Sequence, residues 1–319
     1  MLTVIIPTIN RESGLATALE SIVVQTLVPE EVLIIGQGDE KKERKVVEDF
    51  QSRLNIKYIY ATRKSLCHAK NVGVENSRGN IICILDDDVF LQKDYFKNVF
   101  HFFQSHPDAL GVQGVITNFA QGHLNKVGGK RLALKLYEAF AVVFLLNRGG
   151  KVNKFLPSAR NVYCKEIDRI SNCQWLSGCA CYRRDVFTEL KHQFDDNMIK
   201  YCYGEDKLFS YELYKRFPQG LYIDPSIQYE HYPQLEKSLA SEDLIKMRIL
   251  YNYYIWLKVI DKTLKNKILY WWSSCGDLIV YLAKGLDWFK AAVRVYFNIW
   301  FKSKKAVFRK YEDLFNFDI

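Results

Sequence analysis

Three consecutive carboxylates, Asp86-Asp87-Asp88, directly follow the apolar run Ile81 to Leu85. Packing gives no reason to crowd negative charge at the end of a buried strand. The cluster therefore predicts a hard divalent cation, and oxygen ligands suit Mg²⁺ or Mn²⁺. The competing reading is an acidic turn with Asp88 as an N-cap ahead of Leu91. A second acidic pair, Glu205-Asp206, follows Gly204 and opens the helical pattern Leu208, Phe209, Tyr211, Leu213. A carboxylate there can take a proton from a hydroxyl nucleophile, or can simply favour the helix N-terminus by about 0.3 to 1 kcal/mol. His231, after Gln228-Tyr229-Glu230, is either a metal ligand or a structural histidine at a strand end.

Other motifs carry less. Gly36-Gln37-Gly38 follows a strand-like run but lacks the third glycine of a dinucleotide fingerprint, and no Gly-rich loop ending in Lys-Ser/Thr exists. Cys173, Cys179, Cys181 and Cys202 contain no C-x-x-C pair, which argues against zinc. Cys67 and His68 sit in an apolar helical pattern that reads as core rather than as a thiol nucleophile.

The elements that must hold these residues alternate in type. Val4 to Pro7, Val32 to Gly36, Ile56 to Tyr60 (apart from Lys57) and Ile81 to Leu85 are apolar runs, as expected of strands covered on both faces. Glu12 to Gln25, Glu40 to Leu54 and Ser65 to Asn76 are long enough for crossover helices between them. The series predicts a mostly parallel, doubly wound α/β sheet with its chemistry at the carboxyl ends of the strands. Beyond it, Leu110 to Ile116 reads as a strand, Asn118 to Lys130 as a loop, Cys173 to Tyr182 as a mixed strand, Gly204 to Phe217 as a helix and Leu221 to His231 as strand broken at Pro225. Ala139 to Leu146 is apolar but short, which predicts a buried helix rather than a span.

The length of 319 residues allows two or three domains. With 49% hydrophobic and 25% charged residues, composition excludes a disordered chain, a collagen or a coiled-coil rod. Met1 leads straight into a strand-like run with no secretory apolar segment, so the eight cysteines are expected to be reduced and the chain cytoplasmic. The net charge of +9 admits nucleotide phosphates, nucleic acid or anionic lipid as partners.

The ordered set Val4-Ile5-Ile6-Pro7-Thr8-Ile9-Asn10-Arg11, Ala69-Lys70-Asn71-Val72-Gly73, Ile84-Leu85-Asp86-Asp87-Asp88, Trp175-Leu176-Ser177-Gly178, Gly204-Glu205-Asp206 and His231 resembles the family 2 glycosyltransferases of GT-A fold, over about residues 2 to 232. The resemblance implies a Rossmann-like sheet with flanking helices, residues 1–108 forming the nucleotide-sugar half and 109–236 the acceptor and catalytic half. It implies that Pro7, Thr8, Asn10 and Arg11 form the first nucleotide-binding turn, with Asp86, Asp87 and Lys70 also toward the donor. Gln37 stands where the family usually has an aspartate reading the base, and Lys70 replaces a more frequent arginine. Asp88 and His231 would hold Mn²⁺ or Mg²⁺, Asp206 would be the catalytic base beside Glu205, and Trp175, Leu176, Ser177 and Gly178 would border the acceptor. No Gln-x-x-Arg-Trp segment of processive synthases occurs. The implied activity is inverting transfer of one sugar per encounter from a nucleotide-sugar to a bacterial-type surface glycan or its lipid-linked precursor.

Two other classes compete. A metal-dependent nucleotidyltransferase or nuclease would usually show a phosphate loop or a second acidic set, and a non-catalytic glycan- or membrane-binding protein would not need Asp206. Residues 237–319 lie beyond the family motifs and hold Trp256, Trp271, Trp272, Trp288 and Trp300. Lys284, Asp287, Arg294, Asn298, Lys302 and Lys305 recur at helical spacing, predicting an amphipathic helix with Trp271, Trp272, Trp288 and Trp300 on its apolar side. Basic residues interleaved with large apolar ones suit an anionic membrane surface better than nucleic acid, so peripheral attachment at the inner face of the cell membrane is expected. Packing of these helices on the catalytic part or on a second copy is the alternative.

Overall fold

The computed structural model describes residues 1–118, 131–164, 167–232 and 241–315. The first stretch forms β1 (Leu2–Thr8), α1 (Glu12–Val23), β2 (Glu31–Gly36), α2 (Glu40–Glu48), β3 (Ile56–Tyr60), α3 (Leu66–Asn76), β4 (Ile81–Ile84), β5 (Val89–Leu91), α4 (Tyr95–Ser105) and β6 (Gly111–Ile116). There follow α5 (Arg131–Val143), β7 (Arg148–Gly150), β8 (Lys154–Phe155), β9 (Asn161–Cys164), β10 (Ser171–Asn172), β11 (Ala180–Arg183), α6 (Asp185–Thr188), α7 (Glu205–Arg216) and β12 (Leu221–His231). The chain closes with α8 (Ser241–Val259), α9 (Leu264–Lys284), α10 (Leu286–Phe301) and α11 (Lys304–Lys310).

One sheet runs β10-β12-β6-β11-β4-β1-β2-β3, with β5 against β12. The half built from the first four apolar runs is parallel throughout, β1 pairing β2 and β4, and β2 pairing β3. Every residue of β1 and β4 is buried, so continuous apolar runs rather than alternating ones are what these strands need. Leu15, Leu19 and Ile22 of α1 and Phe96, Val99 and Phe102 of α4 join that core. β11 then enters antiparallel between β4 and β6, and β12 returns parallel to β6. Register shifts between Ile223 and Gln228, around Pro225, which has no N–H for the ladder, but the strand continues to His231. The chain therefore has an α/β fold of GT-A type with additional C-terminal helices.

Contacts divide the chain into two compact units. One comprises Met1–His123, Ile167–Tyr201 and Glu205–Pro233, and contains the sheet; the other comprises Leu124–Glu166, Cys202–Gly204 and Gln234–Ile319. Residues 1–108 and most of 109–236 thus build one unit, while α5 and β7–β9 group with the C-terminal helices.

Several local expectations change. Of the strand expected from Cys173 to Tyr182, only Ala180–Arg183 forms with its neighbours β4 and β6. The chain before it is instead tied to α7, where the Ser210 hydroxyl accepts from Leu176 N at 2.9 Å. α5 ends at Val143, and Val142 and Val143 are 53% and 59% exposed rather than buried. Apart from Asn118, the expected loop to Lys130 lies outside the described residues. The single amphipathic helix through Lys284 and Asp287 is two helices, because Gly285 adopts φ +135° between α9 and α10. Asn298, expected on the polar face with Asp287 and Arg294, which are exposed, is instead buried, its amide donating to the Tyr311 hydroxyl at 3.2 Å. Trp288 and Trp300 stack on Tyr281 and Tyr296, while Trp271 and Trp272 of α9 face outward.

Candidate active site

The three acids stand at the carboxyl end of β4, beside the end of β1. Asp87 is buried, accepting from the Thr8 hydroxyl at 2.8 Å and from Arg11 Nη1 at 2.9 Å. The same guanidinium nitrogen reaches Asp88 Oδ2 at 3.0 Å. Burial pushes the Asp87 carboxyl up to about 6, against the opposing pull of Arg11 and Thr8. Thr8 and Arg11 thus brace the acidic turn, and Asp87 is directed into the fold.

His231 comes from 143 residues away in sequence. The antiparallel ladder of β12 with β5 sets His231 opposite Val89, next to Asp88, and Tyr232 N donates to Asp88 O at 2.8 Å. Its Nε2 lies 3.1 Å from Asp88 Oδ1. Burial alone would raise the Asp88 carboxyl, but His231 and Arg11 hold it below the usual carboxylate value. Burial opposes the charge on His231, and Asp88 and Asp86 outweigh it, raising the imidazole above its ordinary value. One ligand atom from each of Asp86, Asp88 and His231 lies within 4.8 Å of the others. Two carboxylates and an imidazole so placed fit a divalent cation such as Mn²⁺ or Mg²⁺, and Asp86 joins the two ligands expected from sequence. Gly178 leaves room for this cluster, because a β-carbon there would force the Asp86 carboxylate to shift.

Lys70 and Glu205 form a buried ion pair between α3 and the start of α7. Burial works against the charge on Lys70, but Glu205, Asp86 and Asp206 outweigh it and keep the ammonium protonated. Glu205 is buried and engaged, whereas Asp206 is half-buried at the head of α7. Tyr201, missed in the sequence, stands among the same acids; desolvation and the charges of Asp86, Glu205, Asp206 and Asp88 hold its hydroxyl protonated.

At the ends of β1 and β2 a second missed residue organises two turns. Glu43 of α2 is fully buried, and its Oε1 accepts from Asn10 N at 3.0 Å and from Gly38 N at 3.1 Å. Its Oε2 accepts from the Tyr58 hydroxyl at 2.8 Å. Asn10, in the left-handed region at φ 52°, accepts from Asp39 N at 2.8 Å and completes the link. Gly38 must be glycine, since a β-carbon would meet both Asn10 and Glu43. Gln37 is buried, and its amide donates to the carbonyls of Arg63 and Ser65. One of three glutamates in the charged helix Glu40 to Glu48, Glu43 left no mark that separates it from a solvated face.

Of the expected acceptor segment, Trp175 and Leu176 are core residues, with the Trp175 ring 5.4 Å beneath Lys207 Nζ. Ser177 and Gly178 are partly exposed, and Ser177 N donates to Gln113 Oε1 at 2.7 Å. Pro7 is buried at the end of β1.

The sheet order and the aspartate cluster at the end of its central strand define a protein of the GT-A fold class. Residues 3–190 match the family model described as Glycosyl transferase family 2, and the chain belongs to that family. The minor teichoic acid biosynthesis protein GgaB of Bacillus subtilis (strain 168) is 27% identical over 124 residues, 38% of this chain and 14% of its own length. The chondroitin synthase of Escherichia coli is 24% identical over 287 residues, 83% of this chain and 41% of its own. This chain therefore spans less than half of either relative. The mannosyltransferase PcManGT from Pyrobaculum calidifontis, in complex with GDP-Man and Mn²⁺, superposes with a TM-score of 0.54 over 98% of this chain and 82% of its own, at 15% identity. At that identity the likeness shows a shared fold.

Proposed function

We propose that this chain transfers a sugar from a nucleotide-sugar donor to a hydroxyl of a glycan or lipid-linked glycan, with inversion and with a divalent metal held by Asp86, Asp88 and His231. The observation that carries the reading is the convergence of those three ligands beside Asp206 and Lys70 at the carboxyl end of the sheet. Support comes also from PcManGT, which binds GDP-Man and Mn²⁺ on the same fold. A bound cation would neutralise the charge that develops on the departing diphosphate. The chain's own residues do the rest. Thr8 and Arg11 fix the acidic turn, and the turns joined by Glu43 receive the nucleoside. Asp206 takes the acceptor's proton as the acceptor oxygen bonds to the anomeric carbon and the bond to the diphosphate oxygen breaks on the opposite side. Glu205, committed to Lys70, orients α7 rather than accepting that proton. A lipid-linked acceptor places the enzyme as a peripheral protein on the cytoplasmic membrane face.

Chelation tests the metal: transfer should stop in excess chelator and return with Mn²⁺ or Mg²⁺, and undiminished turnover would sink it. The nucleoside diphosphate should be the released product; inorganic pyrophosphate would point to nucleotidyl transfer instead. The anomeric configuration of the product, read by NMR, must be opposite to that of the donor.

A further inference from the structure

The C-terminal unit exposes a continuous apolar face. On α9, Leu264, Ile268, Trp271, Trp272, Ile279 and Leu282 are between 45% and 74% exposed. At about 100° per residue they fall within one stripe about 100° wide along the helix, while Tyr270, Ser273, Ser274 and Tyr281 on the other side are buried. Trp272 stacks on Phe144 at 4.6 Å and donates from Nε1 to Val143 O at 2.8 Å. The exposed Val142 and Val143 at the end of α5 therefore extend the same surface. Soluble proteins rarely leave so large an apolar patch without a partner.

Charge indicates which partner. Lys265 and Lys267 of α9 are exposed and flank the stripe, and the helix's one acid, Asp277, is turned inward onto the buried Arg160. The face is thus cationic and apolar, with no exposed acid on the helix. A second copy laid antiparallel on the same face would set these lysines against its last turn of α9, which carries a lysine and no acid to pair them. Anionic phospholipid supplies the missing negative charge, tryptophan rings suit the headgroup boundary, and lysine stems lie along apolar surface while their ammonium groups reach phosphate. Among the described residues no helix is long and apolar enough to cross a membrane, so α9 would lie along the surface. We infer that the exposed face of α9, extended by Val142 and Val143, is a docking surface for an anionic phospholipid bilayer. The inference rests on the peripheral placement proposed above and assigns it a particular face.

Flotation of the full chain tests it, using vesicles of phosphatidylcholine with phosphatidylglycerol at about one part in three. The chain should float with them, less so in high salt, and not with pure phosphatidylcholine. Trp271→Ser/Ile279→Ser and Lys265→Glu/Lys267→Glu should each weaken vesicle binding by about tenfold or more. The altered side chains are exposed, so both variants should keep the melting temperature of the unaltered chain, which checks their folding independently. Failure of the unaltered chain to float, or equal flotation by the folded variants, would overturn the inference. So would a dimer in analytical ultracentrifugation that the Trp271→Ser/Ile279→Ser variant converts to monomer without any change in flotation. Flotation needs neither donor nor metal, so absent transfer with intact flotation would count against the enzymatic reading alone.

Discussion

Glu205 and Asp206 are neighbours with opposite surroundings, and substitutions should separate them. Asp206→Asn keeps size and hydrogen bonding but cannot accept a proton, so turnover should fall roughly 10²-fold or more while donor affinity holds. Glu205→Gln removes the buried partner of Lys70 and should lower folding stability by about 3 kcal/mol, measured by denaturant unfolding. An inactive but fully stable Glu205→Gln, with an active Asp206→Asn, would exchange the two roles. Glu43 gives a different signature, because it holds backbone rather than reacting atoms. Glu43→Ala should raise the donor KM about tenfold with kcat nearly unchanged, and Glu43→Gln, which keeps an accepting oxygen, should recover most of that loss. Equal losses in kcat for both variants would refute a positioning role.

At the scale of elements, α7 carries Asp206 and must be anchored from behind. His192 does this: it is buried, its Nε2 donates to Phe209 O at 2.7 Å, and its ring lies 4.4 Å from that of Phe209. Burial holds the imidazole below its ordinary value of 6.5, although the carbonyl hydrogen bond favours charge. A histidine so depressed binds fewer protons folded than unfolded. Its contribution is complete above the unfolded value and is lost as pH falls through it toward the lower folded value. The melting temperature should therefore drop from about pH 7 to about pH 5, and His192→Gln should flatten that drop. An identical slope in the variant would show that other groups cause it. β12 is the second decisive element, since a one-residue slip of its ladder with β5 would turn His231 away from Asp88.

For the whole molecule, ligand linkage offers a test that needs no acceptor. A nucleoside diphosphate of the right base, at about a hundredfold excess over its Kd with Mn²⁺, should stabilise the sheet unit by about 2.7 kcal/mol. A panel of nucleotides read by thermal shift would identify that base, and Asp88→Asn should abolish the dependence on metal. A shift that persists in Asp88→Asn would remove the metal from donor binding.

The parallel half of the sheet was legible in the sequence because strands covered on both faces must be continuously apolar, and β1, β2 and β4 are. The acids at the end of β4 stood out for a related reason: charge clustered after such a run has no packing purpose. The C-terminal helices were legible as helices but not as two, since Gly285 at positive φ separates α9 from α10, and the burial of Asn298 against Tyr311 is a contact that no helical wheel assigns. Pairings across long separations lay beyond any local pattern. Only the folded chain sets His231 against Asp88, commits Glu205 to Lys70, and buries Glu43 beneath two turns that its own helix does not contain. Local periodicity reports which face of an element is apolar; which polar group meets which is decided by strand order, register and the shape left between packed elements.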